Sequence, residues 1–138
     1  MSMMLHGCTK ITGGAVELSW NLENMDGSRF SGCPKVIDRI RLAWQVGTDT
    51  GSTDFACGDN HGVTAFDVPA GDAVLSIEPQ CAGGTPVNAA AFVAPAPLER
   101  TISVDDVVEL HAIVIQIDQS CVCPVPLPSP LPDASCPQ

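Results

Sequence analysis

Tyrosine is missing from this chain of 138 residues, and its only other large aromatics are two Trp and four Phe. Carbohydrate recognition on stacked aromatic platforms is therefore not expected, since both Trp also fall on the apolar faces of strand-like segments. Positive charge is scarce as well. Lys10, Arg29, Lys35, Arg39, Arg41 and Arg100 are the only basic residues, against 16 acidic ones, for a net charge of −10. Too few and too scattered to track a phosphate backbone, they exclude nucleic acid as an expected partner. Such acidity favours solubility and repels anionic surfaces. No run reaches the roughly 18 apolar residues of a membrane span. Met1-Ser2-Met3-Met4-Leu5 is also shorter than the apolar core of about 7–15 residues in an export signal. The expectation is a chain that starts downstream of its natural start or was shortened near a processing site. Neither His61 nor His111 has a nucleophile motif beside it, so no catalytic residues, enzyme activity or cofactor are expected.

What the chain does have is cysteine: Cys8, Cys33, Cys57, Cys81, Cys121, Cys123 and Cys136. Cysteines spread over the whole length of a small domain point to an oxidising compartment, where disulfides form and persist. The odd count asks for one with a different fate. Apolar residues make up 45% and charged residues 16%, a composition that buries a core.

The apolar pattern has a period of two. Val16, Leu18, Trp20 and Leu22 share one face, with Glu17, Ser19 and Asn21 on the other. Ile40, Leu42, Trp44 and Val46 repeat this, with Arg39, Arg41 and Gln45 outward. A turn over 47–52 leads to a strand near 53–57. A second turn over 58–62 leads to a strand over 63–68, and Pro69-Ala70-Gly71-Asp72 leads into a strand over 73–78. Residues 79–98, rich in Pro, Gly and Ala, read as a long loop with one strand near 89–93, and Pro95 and Pro97 mark an edge or exit. Strands over 100–104 and 107–117 close the domain. The last is apolar on both faces and reads as central. Strands about ten residues apart, with Gly/Pro turns and no helix, predict an all-β antiparallel sandwich of seven or eight strands. Three segments follow: a lead-in over 1–13, a sandwich over 14–118 and a Pro/Cys-rich tail over 119–138. The tail's alternating prolines favour extended polyproline II.

The order of Gly14-Ala15-Val16-Glu17-Leu18-Ser19-Trp20, Gly32-Cys33, Phe55-Ala56-Cys57 and Val68-Pro69-Ala70-Gly71 resembles small lipoproteins of myxobacteria and their relatives. Those chains are similar to immunoglobulin or fibronectin-III sandwiches that follow a lipidated Cys. Leu5-His6-Gly7-Cys8 likewise resembles the lipobox of bacterial lipoproteins. The likeness covers about residues 5–118. It departs where Asp72-Ala73-Val74 lacks an aromatic, and the Cys-Pro tail is additional. The resemblance implies lipidation at Cys8 and a membrane partner through that anchor. The location implied is the outer membrane, periplasm or cell surface of a Gram-negative bacterium. It also implies a Cys33–Cys57 bridge. Cys81 then pairs with Cys121 or Cys123, and the other of those two with Cys136.

Metal sites compete weakly for the same residues. Cys57 with His61, and Cys121 with Cys123, lack the spacing of structural zinc sites. Asp49, Asp54, Asp59 and Asn60 lack the ordered spacing of a calcium loop, and turn chemistry accounts for them. No metal ligand is therefore assigned. The expected function is a non-enzymatic envelope lipoprotein, structural or binding, with an unidentified protein partner or self-association. Its alternatives are a subunit of an extracellular assembly or filament and, more weakly, a zinc- or calcium-binding protein.

Overall fold

The computed structural model of the protein describes residues 12–124. Two sheets face each other across one core. The first contains β1 (Gly13–Asn24), β4 (His61–Val63), β5 (Val68–Pro69), β7 (Phe92–Val93) and β9 (Val107–Ile117). Its order is β4-β1-β9-β7, with β5 paired to the start of β1. The second sheet runs β3-β2-β6-β8, from β2 (Ile37–Val46), β3 (Asp49–Ala56), β6 (Gly71–Cys81) and β8 (Leu98–Ile102). The all-β expectation holds. The strand count rises to nine among the described residues, and the all-antiparallel expectation does not hold. The first and last strands, β1 and β9, pair in parallel from Ala15↔Val107 to Asn24↔Ile117.

The apolar faces expected for β1 and β2 are the ones that meet. Val16, Leu18, Trp20 and Leu22 are buried on one sheet, and Ile40, Leu42, Trp44 and Val46 on the other. Removing these side chains from water supplies the main favourable term of folding. β9 departs from simple alternation. Leu110 is buried, yet so are Ile113, Ile115 and Ile117, which have the opposite parity. The switch occurs at His111, whose φ is +63°, where the register with β1 slips between Glu17 and Ser19. An extra residue in one strand flips every later side chain to the other face. The strand thus looks apolar on both faces because it changes face midway. It is not central along its length either: β7 covers it only at Gln116 and Ile117.

Other boundaries shift for local reasons. The turn expected over 47–52 is only Gly47-Thr48, because Asp49 to Ser52 pair with Val46 to Ala43. Gly51 reads as a turn residue, but it is a strand position that the Trp44 ring covers. Gly62 is similar: it pairs with Leu18 in β4, and a Cβ there would lie 2.5 Å from the Phe55 ring. That ring stacks on Trp20, with centroids 5.8 Å apart. The strand expected over 63–68 is two short pieces, β4 and β5, and Thr64 lies between them. Strand β6 extends through Pro79 to Cys81. Pro79 stands opposite Ile40 on β2, and because β8 pairs β6 only from Gly71 to Leu75, its missing N–H leaves no ladder bond unmade on the β8 side. Ala89–Ala91 forms a 3-10 turn, leaving Phe92–Val93 as the strand. The strand expected over 100–104 is paired over Leu98–Ile102 instead.

Strand direction divides the molecule into two poles. β1 and β9 both start at one pole, which carries the short connections at Gly47-Thr48, 64–70 and 103–106. They end at the other, which carries the longer 25–36 and 82–91 segments and the turn after Ile117. Residues just past β9 belong to the body: Cys121 and Val122 are buried, and the Asn88 N–H donates to the Val122 carbonyl at 2.8 Å.

Thr64 is the buried polar residue among the described ones. Its Oγ1 accepts from the Val16 N–H at 3.0 Å and donates to the Ala65 carbonyl at 2.7 Å, replacing a strand where β4 has ended. A Thr64→Val variant strands the Val16 N–H, so it is expected to lose about 1–3 kcal/mol in urea unfolding. Thr64→Ser, which keeps the hydroxyl, should lose less than half of that.

Candidate functional site

Chemistry-bearing residues gather in three places. One is the outer face of the second sheet. Arg41 faces Asp54 on β3 and Glu78 on β6 across the two ladders. Its Nε and Nη2 donate to Asp54 Oδ1 and Oδ2 at 2.7 and 3.0 Å. Arg39 Nη1 adds a bond to Asp54 Oδ2 at 2.8 Å. The two guanidinium groups, Arg41 first, hold the Asp54 carboxyl below its ordinary range despite partial burial. Arg41 in turn is held above its ordinary value, chiefly by Asp54. Alternation puts these charges on one face, and cross-strand register makes them neighbours. Such a fork is a structural clasp, because both Asp54 oxygens are already engaged by guanidinium groups of neighbouring strands.

The second place is the outer face of the first sheet. His61 Nε2 lies 2.7 Å from Glu17 Oε2. The His61 imidazole, hydrogen-bonded to it, keeps the Glu17 carboxyl below its ordinary range. Ser19 stands opposite His61 in the ladder, but no hydrogen bond joins its hydroxyl to His61. The imidazole side chain is 52% exposed. A nucleophile needs a base within reach and a donor pair for the oxyanion, in a water-poor site. This open sheet face supplies neither. His111, the other histidine considered, sits exposed at the β9 bulge, its N–H bonded to Glu109 Oε2 at 3.2 Å.

The third place is the pole at which β1 and β9 end. Cys33 in the β1–β2 connection bonds Cys57 at the end of β3, with Cα atoms 6.1 Å apart. Cys81 at the end of β6 bonds Cys123, with Cα atoms 5.7 Å apart. Of the two partners open to Cys81, Cys123 is the one used. Cys121 is disulfide-bonded as well. Cys8 and Cys136 lie outside the described residues. Buried Trp20 reaches the same pole, its Nε1–H donating to the Cys57 carbonyl at 2.9 Å.

These bonds bear on the metal alternatives. Oxidised Cys57 and Cys123 offer no thiolate, and Asp54 is held by two arginines. No group of three or more His, Cys, Asp or Glu among the described residues is placed to hold a metal ion. Asp49, Asp59 and Asn60 stay apart: Asp49 opens β3, while Asp59 and Asn60 close the turn after Cys57. A further open groove near 430 Å³ lies over β6 and β8, lined by Asp72, Ala73, Val74, Glu99, Arg100 and Thr101. The Arg39–Arg41–Asp54 and His61–Glu17 groupings are not visible in sequence spacing, since they arise from cross-strand register.

The lowered pKa of Asp54 sets the sign of one pH effect. Its contribution to stability is present above the unfolded carboxyl range, near pH 4, and is lost as pH falls through the lower folded value. Asp54→Asn is expected to cost up to about 1 kcal/mol at pH 7, given the partial exposure. Denaturant titrations at pH 7 and pH 3 should show a smaller acid-induced loss than in the parent chain. No family model, curated protein or solved structure matches this chain.

Proposed function

We propose that the protein is a non-enzymatic module of the bacterial cell envelope, exported and held to a membrane by lipid on Cys8. Its role is structural or binding, with an immunoglobulin- or fibronectin-III-like sandwich as scaffold. The observation that carries this reading is the set of disulfides, Cys33–Cys57 and Cys81–Cys123, which persist in oxidising compartments. Cys121 is bonded as well. The clustered side chains engage one another across open sheet faces, which favours a scaffold over a reaction site. Two packed sheets with a buried Trp against a bridged Cys support the immunoglobulin comparison. The parallel β1–β9 pair and the placing of both bridges at one pole are departures from it.

A second reading, a subunit of an extracellular assembly, draws on the open side of β9. Val107 and Val114 on β9 and Val93 on β7 are 44%, 42% and 54% exposed, and among the described residues β9 lacks a second partner strand over most of its length. The His111 bulge breaks that edge in the middle, as bulges do where strand addition is disfavoured. The envelope module is therefore preferred.

The test is to express the chain behind a complete lipoprotein signal and fractionate the cells. The parent should partition with membranes, and Cys8→Ala should move to the soluble fraction. A Cys8→Ala protein that stays with membranes sinks the anchor. Sedimentation velocity addresses the second reading: a concentration-dependent oligomer abolished by Val114→Lys would favour it.

A further inference from the structure

The sheet edges differ in how they are closed. On the first sheet, β4 is three residues long, β7 is two, and β9 is broken by its bulge at His111. On the second, β8 is five residues long and follows directly on Pro95 and Pro97. Shortness, proline and bulges are the means by which sheets discourage a further strand. β3 has none of them. Its eight residues include no Pro and no Lys, and they pair with β2 from Asp49↔Val46 to Ala56↔Arg39 without a register shift. Among the described residues its other side meets no strand, and no loop bonds its backbone.

An extended partner joins such an edge through main-chain hydrogen bonds and is selected by pockets for alternate side chains. The outer row of β3 is Thr50, Ser52, Asp54 and Ala56, a flat strip of short side chains that suits a strand of the same kind. Charge points the same way. Copies of a chain with net charge −10 repel one another, so self-contact needs a surface where acid is already answered. Asp54 is the one charged residue of that row, and Arg39 and Arg41 hold it at 2.8 and 2.7 Å.

We propose that β3 is the contact between two copies of this chain, paired antiparallel about a twofold axis at Ser52. Centred there, Ser52 meets the second copy's Ser52, and Thr50 meets the second copy's Asp54. Hydroxyls then face a hydroxyl or a carboxylate, and no two like charges stand opposite. Residues directly opposite share a face, so the two four-stranded sheets join into one continuous sheet. A single strand edge is a small contact, below about 1,200 Å², of the transient class, and the affinity expected is about 10–100 μM. The inference needs neither lipid on Cys8 nor the β9 edge. It sets the two β1 starts at opposite ends, so paired anchored copies lie with their strands along the membrane.

The test is sedimentation velocity on the full chain, folded under oxidising conditions and alkylated so that thiols cannot link copies. The parent is expected to be mostly dimer at about 500 μM and mostly monomer at about 2 μM. Ser52→Lys and Ser52→Glu each put like charges on the axis and should weaken dimerisation at least about tenfold. An equimolar mixture of the two should regain it as a heterodimer, which a merely structural role of Ser52 does not predict. Val114→Lys on β9 should dimerise like the parent. A parent that stays monomeric at the higher concentration overturns the inference, as do Ser52 variants that still dimerise or a mixture that does not recover. Loss of the dimer in Val114→Lys also overturns it, in favour of the β9 edge. If the parent dimerises in this way but Cys8→Ala stays with membranes, the anchor fails and the β3 contact stands. If Cys8→Ala leaves the membranes but the parent is monomeric, the contact fails and the anchor stands.

Discussion

The rest of the structure depends on the parallel pairing of the first strand with the last. β1 and β9 are joined over nearly their whole length, and this non-local ladder brings the first and last described strands into one sheet. It places Leu18, Trp20 and Leu22 beside Ile113, Ile115 and Ile117, so the first sheet presents a continuous apolar face to the second. Contacts this distant in sequence form only after the loop-closure entropy of almost the whole domain has been met. Parallel strands cannot be joined by a tight turn. Here the crossover is the entire second sheet together with the short strands around it.

That pairing also explains the bulge at His111. β1 keeps strict alternation from Val16 to Leu22, and β9 must present apolar groups to the same core. Its inward-facing residues are even-numbered up to Leu110 and odd-numbered from Ile113. A non-glycine residue at φ +63° is unfavourable, yet it reconciles the two parities and keeps both halves of β9 facing inward. The same irregularity breaks the open edge of the strand, so one local strain serves packing and guards against strand addition.

Much of this was legible in the residues, and the exceptions share a cause. The faces of β1 and β2 follow from alternation alone, because a half-buried strand states its period locally. The limits of β9, Val107 and Ile117, are legible as well, from a run of largely apolar residues between Asp106 and Asp118. Gly51, Gly62 and Pro79 mislead, since each reads as a breaker by residue type. Their neighbours in space decide otherwise: the Trp44 ring, the Phe55 ring and the absent β8 partner. The clasp of Asp54 by Arg39 and Arg41 is equally invisible along the chain, where 15 and 13 residues separate the partners. For the cysteines, the expected pairing leaves Cys81 with two neighbours in Cys121-Val122-Cys123, and the sequence cannot choose between them. One residue in extended chain reverses the side-chain direction, and the choice waits on which sulfur faces β6.

The location of the bridges follows from where order costs most. At the pole where β1 begins, the connections are short. Gly47-Thr48 joins β2 to β3, Ala70 joins β5 to β6, and 103–106 joins β8 to β9. At the other pole, 25–36 and 82–91 carry little regular pairing, and backbone fixed there loses entropy of about 1–2 kcal/mol per residue with few ladder bonds in return. Both described bridges act at that pole, closing sequence separations of 24 and 42 residues. Each removes from the unfolded ensemble a freedom worth about 3–4 kcal/mol in the chain-entropy account. Trp20 works toward the same end through its bond to the Cys57 carbonyl, which ties the first sheet to the bridged turn. Loops held in this way stay long and irregular without fraying, and such loops carry recognition in scaffolds of this architecture. The proposed binding role therefore belongs at the cysteine pole, where covalent bonds sustain side-chain variety, and not where Arg39, Arg41 and Asp54, or His61 and Glu17, already engage one another on the sheet faces.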